Sequence, residues 1–80
     1  MLQNLKDIVT TASGTYYVST SDTYDMGLET MIFKCKVPIP KEFDDIEWSG
    51  VYIEHHRTIK HAIERHNEIK NNIEKYINER

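Results

Sequence analysis

Residues 58–79 read TIKHAIERHNEIKNNIEKYINE, and this stretch decides the fold. Ile59, Ala62, Ile63, His66, Ile69, Ile73, Tyr76 and Ile77 recur at three- and four-residue steps, which is one stripe of an amphipathic helix. The opposite face carries Lys60, Glu64, Glu68, Asn71, Asn72 and Lys75, with Lys70 and Glu74 as a weak i,i+4 pair. Thr58 is placed to cap the N-terminus, since its hydroxyl can accept from a first-turn backbone N–H. No glycine stops the helix, so it is expected to run from Ile59 to about Glu79 and fray near Arg80. At 1.5 Å per residue such a helix is ~30 Å long.

Working upstream, three runs read as strands. Val51–His55 places Val51 and Ile53 on one face and Tyr52 and Glu54 on the other. Glu29–Val37 alternates, with Met31, Phe33, Cys35 and Val37 together. Thr15–Thr20 is β-branched and aromatic. Residues 21–27 are a turn-rich loop, and Pro38 and Pro40 end the second strand. Residues 42–48 read as a connector with room for one helical turn, and Ser49-Gly50 opens the third strand. In residues 1–13 the spacing of Leu2, Leu5, Ile8 and Val9 favours a short helix, although Ile8–Thr11 also suits a strand. The expected class is α+β: a three-stranded antiparallel sheet packed against one long C-terminal helix, with a short N-terminal helix.

Strands of about six residues span only ~20 Å. A 30 Å helix therefore overhangs its sheet, and Ile69, Ile73, Tyr76 and Ile77 need cover from the N-terminal segment or from a second chain. Those residues, with Tyr24 and Tyr52 as exposed aromatic anchors, are the interface candidates.

Composition narrows the classes. Eighty residues form one domain, and one of this size buries only about 60% of its unfolded surface. Ten Lys and Arg against 13 Asp and Glu leave a net charge of -3, which argues against a general nucleic-acid binder. A single cysteine excludes an internal disulfide and a cysteine-based zinc site, and it fits a reducing cytoplasm. No basic n-region precedes an apolar run, so no secretory signal is expected, and no stretch approaches membrane-spanning length.

The chemistry-bearing residues form no recognisable reaction centre. His55, His56, His61 and His66 could bind a metal or move protons near neutrality. Yet His61 and His66 point about 140° apart on a helix, whereas a helical metal pair needs i,i+4 spacing. His66 is expected to be a core-edge histidine with a hydrogen-bond partner, with His61 exposed and His55 and His56 on opposite faces at a strand end. Asp22, Asp25 and Glu29 lack the spacing of a calcium loop and read as a solvated turn. Cys35 alternates with Met31 and Phe33 and reads as a buried, inert thiol. Tyr16, Tyr17, Tyr24, Trp48 and Tyr52 are many aromatics for so short a chain; Trp48 and Phe33, the largest apolar groups, are expected in the core, with a tyrosine as the partner anchor. Glu42, Asp44, Asp45 and Glu47 make the connector acidic. Phosphate loops, nucleophile elbows and CxxC motifs are missing, so no catalytic residue and no cofactor are assigned.

Tyr17-Val18-Ser19-Thr20, the run Gly27-Leu28-Glu29-Thr30-Met31-Ile32-Phe33 and the helical Ala62-x-x-x-His66 together resemble a group of small phage and prophage proteins. That group has a Gly-x-Glu-Thr-Met-x-Phe strand and an Ala-x-x-x-His helix, and the likeness covers about half the chain. It carries no activity. It implies a phage-encoded protein acting in a bacterial cytoplasm.

The expected function is therefore a non-catalytic interaction module that binds a host or phage protein, or itself as a homo-oligomer. Two alternatives stand beside it. One is a metal-binding protein or metal-dependent enzyme using His and Asp/Glu, which needs three ligands to converge. The other is an acidic inhibitor of a nucleic-acid-binding enzyme, which needs its acids gathered on one face.

Overall fold

The computed structural model describes residues 4–23 and 27–77. The fold is α+β, and the sheet has four strands rather than the expected three. Strand β1 is Leu5–Thr11, β2 is Gly14–Thr23, β3 is Gly27–Cys35 and β4 is Ile46–His56. They form an antiparallel meander in the order β1-β2-β3-β4. Helix α1, Ile59–Asn71, and a short helix α2, Ile73–Ile77, then pack across one face.

The additional strand is the segment expected to be a short N-terminal helix. Its exposure alternates residue by residue, with Leu5, Asp7 and Val9 more sheltered than Lys6, Ile8 and Thr10. That is the period of a half-buried strand. The period was obscured because a charged residue, Asp7, takes an inward position between Leu5 and Val9. Pairing along the whole of β2, from Leu5 opposite Thr20 to Thr11 opposite Gly14, outweighs the helical spacing.

Strand β4 also begins earlier than expected. Ile46 and Glu47 already pair with Cys35 and Lys34, and only residues 43–45 of the connector form a 3-10 turn. Between Ile32↔Tyr52 and Lys34↔Glu47 the register shifts, so β4 carries extra residues around Ser49-Gly50-Val51. Gly50 sits at φ +74, the left-handed region that glycine enters freely. A Cβ there would lie 3.2 Å from the Met31 side chain. A bulge of this kind lengthens and re-aims its strand.

The helix is interrupted at Asn72 instead of running unbroken toward Glu79. Asn72 donates through its side chain to the Glu68 carbonyl at 2.8 Å, and its own N–H returns to the Ile69 carbonyl at 3.1 Å. Its dihedrals, φ -138 and ψ 39, leave the helical region. Asn competes in this way for backbone partners. Helix α1, with 13 residues, is ~20 Å long, while strands of 7 to 11 residues span ~23–36 Å. The chain bends at Asn72 and α2 keeps Ile73 and Tyr76 buried against the sheet, so the described helical residues do not overhang it. At its start, Thr58 caps as its type predicts, accepting from the His61 N–H at 3.1 Å.

The core lies between sheet and helices. Val18 and Ile32 come from the two central strands, and Ala62, Ile69, Ile73 and Tyr76 from the helices. Val9, Val51, Tyr52 and Ile77 pack around its margin. Burying each large aliphatic contributes about 1.5–3 kcal/mol. Ile32 is fully enclosed, whereas Ile63 on the helix shoulder is 39% exposed. Replacing Ile32 with Ala is therefore expected to cost about 2–5 kcal/mol. The same change at Ile63 should cost under about 1 kcal/mol. Urea unfolding midpoints at constant m-value measure the difference, and equal losses would contradict this packing.

Candidate functional site

The meander gives the sheet two faces, and each carries a constellation. Strand alternation places Leu5, Asp7 and Val9 of β1, Val18 and Thr20 of β2, Thr30 and Ile32 of β3, and Tyr52, Glu54 and His56 of β4 beneath the helices. At the end of this face away from Ile73 and Tyr76, the layer turns polar.

Asp7 Oδ2 lies 2.7 Å from His66 Nε2, and His66 Nδ1 lies 2.7 Å from the Thr20 hydroxyl. Thr20 meets the Thr30 hydroxyl at 2.6 Å, and Thr30 meets His56 Nε2 at 2.8 Å. This unbroken chain crosses all four strands and ties α1 to them through His66. Thr20 and Thr30 are fully buried, and His66 is 1% exposed. A buried hydroxyl without a partner costs about 1–3 kcal/mol, and here each has two. Beside the chain, Glu54 takes a bidentate pair from Arg65 of α1, at 2.8 Å from both Nε and Nη2. Tyr52 donates to Glu54 at 2.6 Å, and Tyr76 donates to Glu68 at 2.6 Å. The Arg65 guanidinium lies over the Tyr76 ring.

The electrostatics follow from these contacts. Arg65 hydrogen bonds hold the Glu54 carboxyl below the usual carboxylate range despite its burial. Burial, followed by the hydrogen bond to Glu54, pushes Tyr52 up to about 12. Burial lowers His56, and the nearby His61 and Arg65 add to that, against the pull of Glu54.

Asp7–His66–Thr20 has the order of a carboxylate–imidazole–hydroxyl triad. It cannot act as one, because the hydroxyl has no solvent exposure and is already held by Thr30. The arrangement can store and orient protons. The Thr20 hydroxyl lies out of contact with solvent.

Among the described residues no α-helix covers the other face of the sheet. Lys6 and Ile8, Tyr17 and Ser19, Met31, Phe33 and Cys35, and Ile46 and Ile53 share it by register. An aromatic cluster gathers there. Tyr17 stacks on Phe33 at 6.0 Å, Trp48 meets Phe33 edge-on at 4.9 Å and Tyr17 at 5.9 Å, and Phe43 stacks on Trp48 at 4.5 Å. Residues 36–45 fold against the end of this face. Trp48 Nε1 donates to the Phe43 carbonyl at 2.9 Å, and Thr15 donates to the Pro38 carbonyl at 3.1 Å. Asp45 accepts from the Lys41 and Glu42 backbones, which keeps its carboxyl below the ordinary range. The loop leaves Cys35 buried, and that burial pushes its thiol up, as expected for an inert cysteine.

Between this loop and β1 runs an open groove. Ile8, Tyr17, Ile46 and Trp48 line it, Pro40 and Phe43 wall it, and Lys6, Lys41 and Glu42 rim it. Phe43 is 71% exposed, Ile8 49%, Ile53 47% and Trp48 41%.

The expected interface residues lie elsewhere. Ile69, Ile73 and Tyr76 are core residues beneath the sheet, and Ile77 and Tyr52 pack at the core margin. Ile69, Ile73 and Tyr76 are thus covered by the sheet, while Tyr52 and Ile77 are part-buried. Tyr24, and with it Asp25 of the hairpin turn, lies outside the described residues. Of the histidines, His66 has the expected partner, His61 is exposed, and His55 faces Glu29 on the outer side while His56 is buried on the inner one. Among the described residues no three His, Cys, Asp or Glu side chains converge as metal ligands. Trp48, expected in the core, instead lies part-exposed on the outer face, and Phe43, Ile8 and Ile53 were not expected there. The signal was present in Ile53, which alternates away from the inward Tyr52 and Glu54, but the helix was expected to cover the face it shares.

Comparison with protein families, with characterised proteins and with solved structures gives no match to this chain.

Because burial disfavours a charge resting on His56 in the fold, the unfolded chain charges this residue first as pH drops below 6.5. Stability is therefore full above that value and declines below it, by at most about 1.4 kcal/mol per pH unit for one proton. Melting curves between pH 8 and 5 should show this decline. His56→Asn should flatten it, and an unaltered slope would contradict the assignment.

Proposed function

We propose that the protein is a non-catalytic interaction module that pairs with a second copy of itself through the uncovered face of its sheet. The observation that carries this reading is the exposure of Phe43, Trp48, Ile8 and Ile53 on one side of a sheet whose other side is covered. Large apolar patches rimmed by polar groups mark interaction surfaces, and Trp is prominent among the anchors.

Size and charge favour a second copy. The two longer dimensions of the chain, 32 and 25 Å, give a face on the order of 800 Å², the share each partner brings to a standard interface. A two-fold contact sets the same patch against itself, so a patch of one sign would repel its image. This rim is mixed, with Lys6 and Lys41 beside Glu42. That mixture also favours a protein over a nucleic acid, which needs a continuous basic surface. Packing sheet on sheet is an established way to cover such a face. A phage or prophage setting, with the pair acting on a bacterial or phage protein, belongs to the same proposal.

Sedimentation of the full chain tests it. The mass should rise from 9.5 kDa toward twice that value with concentration. Phe43→Asp and Ile8→Lys change exposed side chains, so they should keep the fold and hold the mass at that of one chain. A wild-type protein that stays monomeric at millimolar concentration would overturn self-pairing. Should those same substitutions then abolish binding to a different protein, the face would serve a foreign partner.

A further inference from the structure

The buried polar chain has a direction, and its chemistry fixes which one. An ionised Asp7 only accepts, so His66 must donate to it from Nε2. A neutral His66 then has a bare Nδ1, which takes the Thr20 hydrogen. Thr20 oxygen in turn takes the hydrogen of Thr30, and Thr30 oxygen takes the Nε2 hydrogen of His56. His56 is left with a bare Nδ1. Among the described residues this is the one buried side-chain nitrogen or oxygen without a hydrogen-bond partner. It faces a carboxylate oxygen of Glu54 at 3.6 Å, lone pair toward lone pair.

We propose that the chain is a proton-uptake switch, in which one added proton reverses every hydrogen bond between His56 and His66. The proton binds His56 at Nδ1. The Nε2 proton of His56 passes to Thr30, the Thr30 hydrogen passes to Thr20, and the Thr20 hydrogen passes to His66 Nδ1. Each oxygen gains one hydrogen and loses one, so the hydroxyls stay neutral. The charge ends on His66 against Asp7, and His56 ends neutral with an Nδ1–H aimed at Glu54.

The surroundings decide where the charge rests. At the His56 end, His61 lies edge-on at 5.3 Å, and Arg65 and His55 are also cationic or can become so, with Glu54 alone opposing them. At the His66 end, Asp7 is 2.7 Å away and its same oxygen is 3.6 Å from Lys70. Burial disfavours a charge on both rings, and His66 has a carboxylate within hydrogen-bond distance to offset it, whereas the Glu54 oxygen stands 3.6 Å from His56. The protonated state also supplies the hydrogen that the orphaned nitrogen lacks. The switch joins the two edge strands, β1 through Asp7 and β4 through His56, beneath one helix.

Ring nitrogen shifts of the full 15N-labelled chain, followed from about pH 8 to about pH 5, test this. His66 should become doubly protonated, and at the same midpoint His56 should change from the Nε2–H to the Nδ1–H tautomer without charging. Thr30→Val removes the wire, so His66 should still titrate while the His56 tautomer no longer changes with it. Thr30→Ser should restore the coupling. Asp7→Asn, at the rim of the chain, removes the carboxylate against which the charge comes to rest, so the coupled change of the two rings should be lost between about pH 8 and about pH 5. Double protonation of His56 in that range, an unchanging His56 tautomer, or coupling that survives Thr30→Val would each overturn the proposal. If Thr30→Val does not fold, the wild type, Thr30→Ser and Asp7→Asn still decide it.

Discussion

A helix about 10 Å wide covers one side of a sheet, and the described residues provide one such layer for four strands. Everything else in the molecule answers to that constraint. The covered side receives Val18, Ile32, Ile69, Ile73 and Tyr76 and becomes the core. The uncovered side must manage its own apolar residues, and it does so by stacking Tyr17, Phe33, Trp48 and Phe43 on one another and folding residues 36–45 against one end. Local stacking leaves a groove instead of a closed layer, so the exposed apolar face and the core have the same origin.

The core is unusual in giving up part of its area to polar groups. Thr20, Thr30, His56 and His66 occupy positions where aliphatic side chains would pack without hydrogen bonds. Such a network is tolerable only when nearly every member is satisfied, and here one nitrogen is not. Directional bonds fix what an apolar layer would leave adjustable. They set the register of β2 on β3 at Thr20 and Thr30, and the position of α1 along the sheet at His66. The Glu54–Arg65 pair adds a second such tie on the β4 side.

The sequence made some of this legible. The 3.6-residue stripe placed α1, and Thr58 marked its start, because both depend only on neighbours along the chain. The alternation of Met31, Phe33 and Cys35 located β3 and the buried thiol. Strand β1 was hidden because Asp7 breaks its apolar period, and its inward position makes sense only once His66 and Lys70 are known to meet it. The break at Asn72 was hidden because neither Gly nor Pro marks it. The polar chain needed the hairpin register, since Thr20 and Thr30 lie on separate strands and local pattern cannot say that they face each other. Their spacing from Val18 and Ile32, two residues away on each strand, was the available sign that both point inward. The exposed face followed from counting layers, which required the full strand complement.

Trp48 reports on the central claim directly, because it is the single tryptophan of the chain and touches Tyr17, Phe33 and Phe43 in the aromatic cluster of the uncovered face. Its fluorescence can be followed from nanomolar to millimolar concentration. The account requires emission typical of a partly wet indole in dilute solution, shifting to the blue as chains pair and exclude water. Emission that is already fully blue when dilute, or that does not move with concentration, would contradict it.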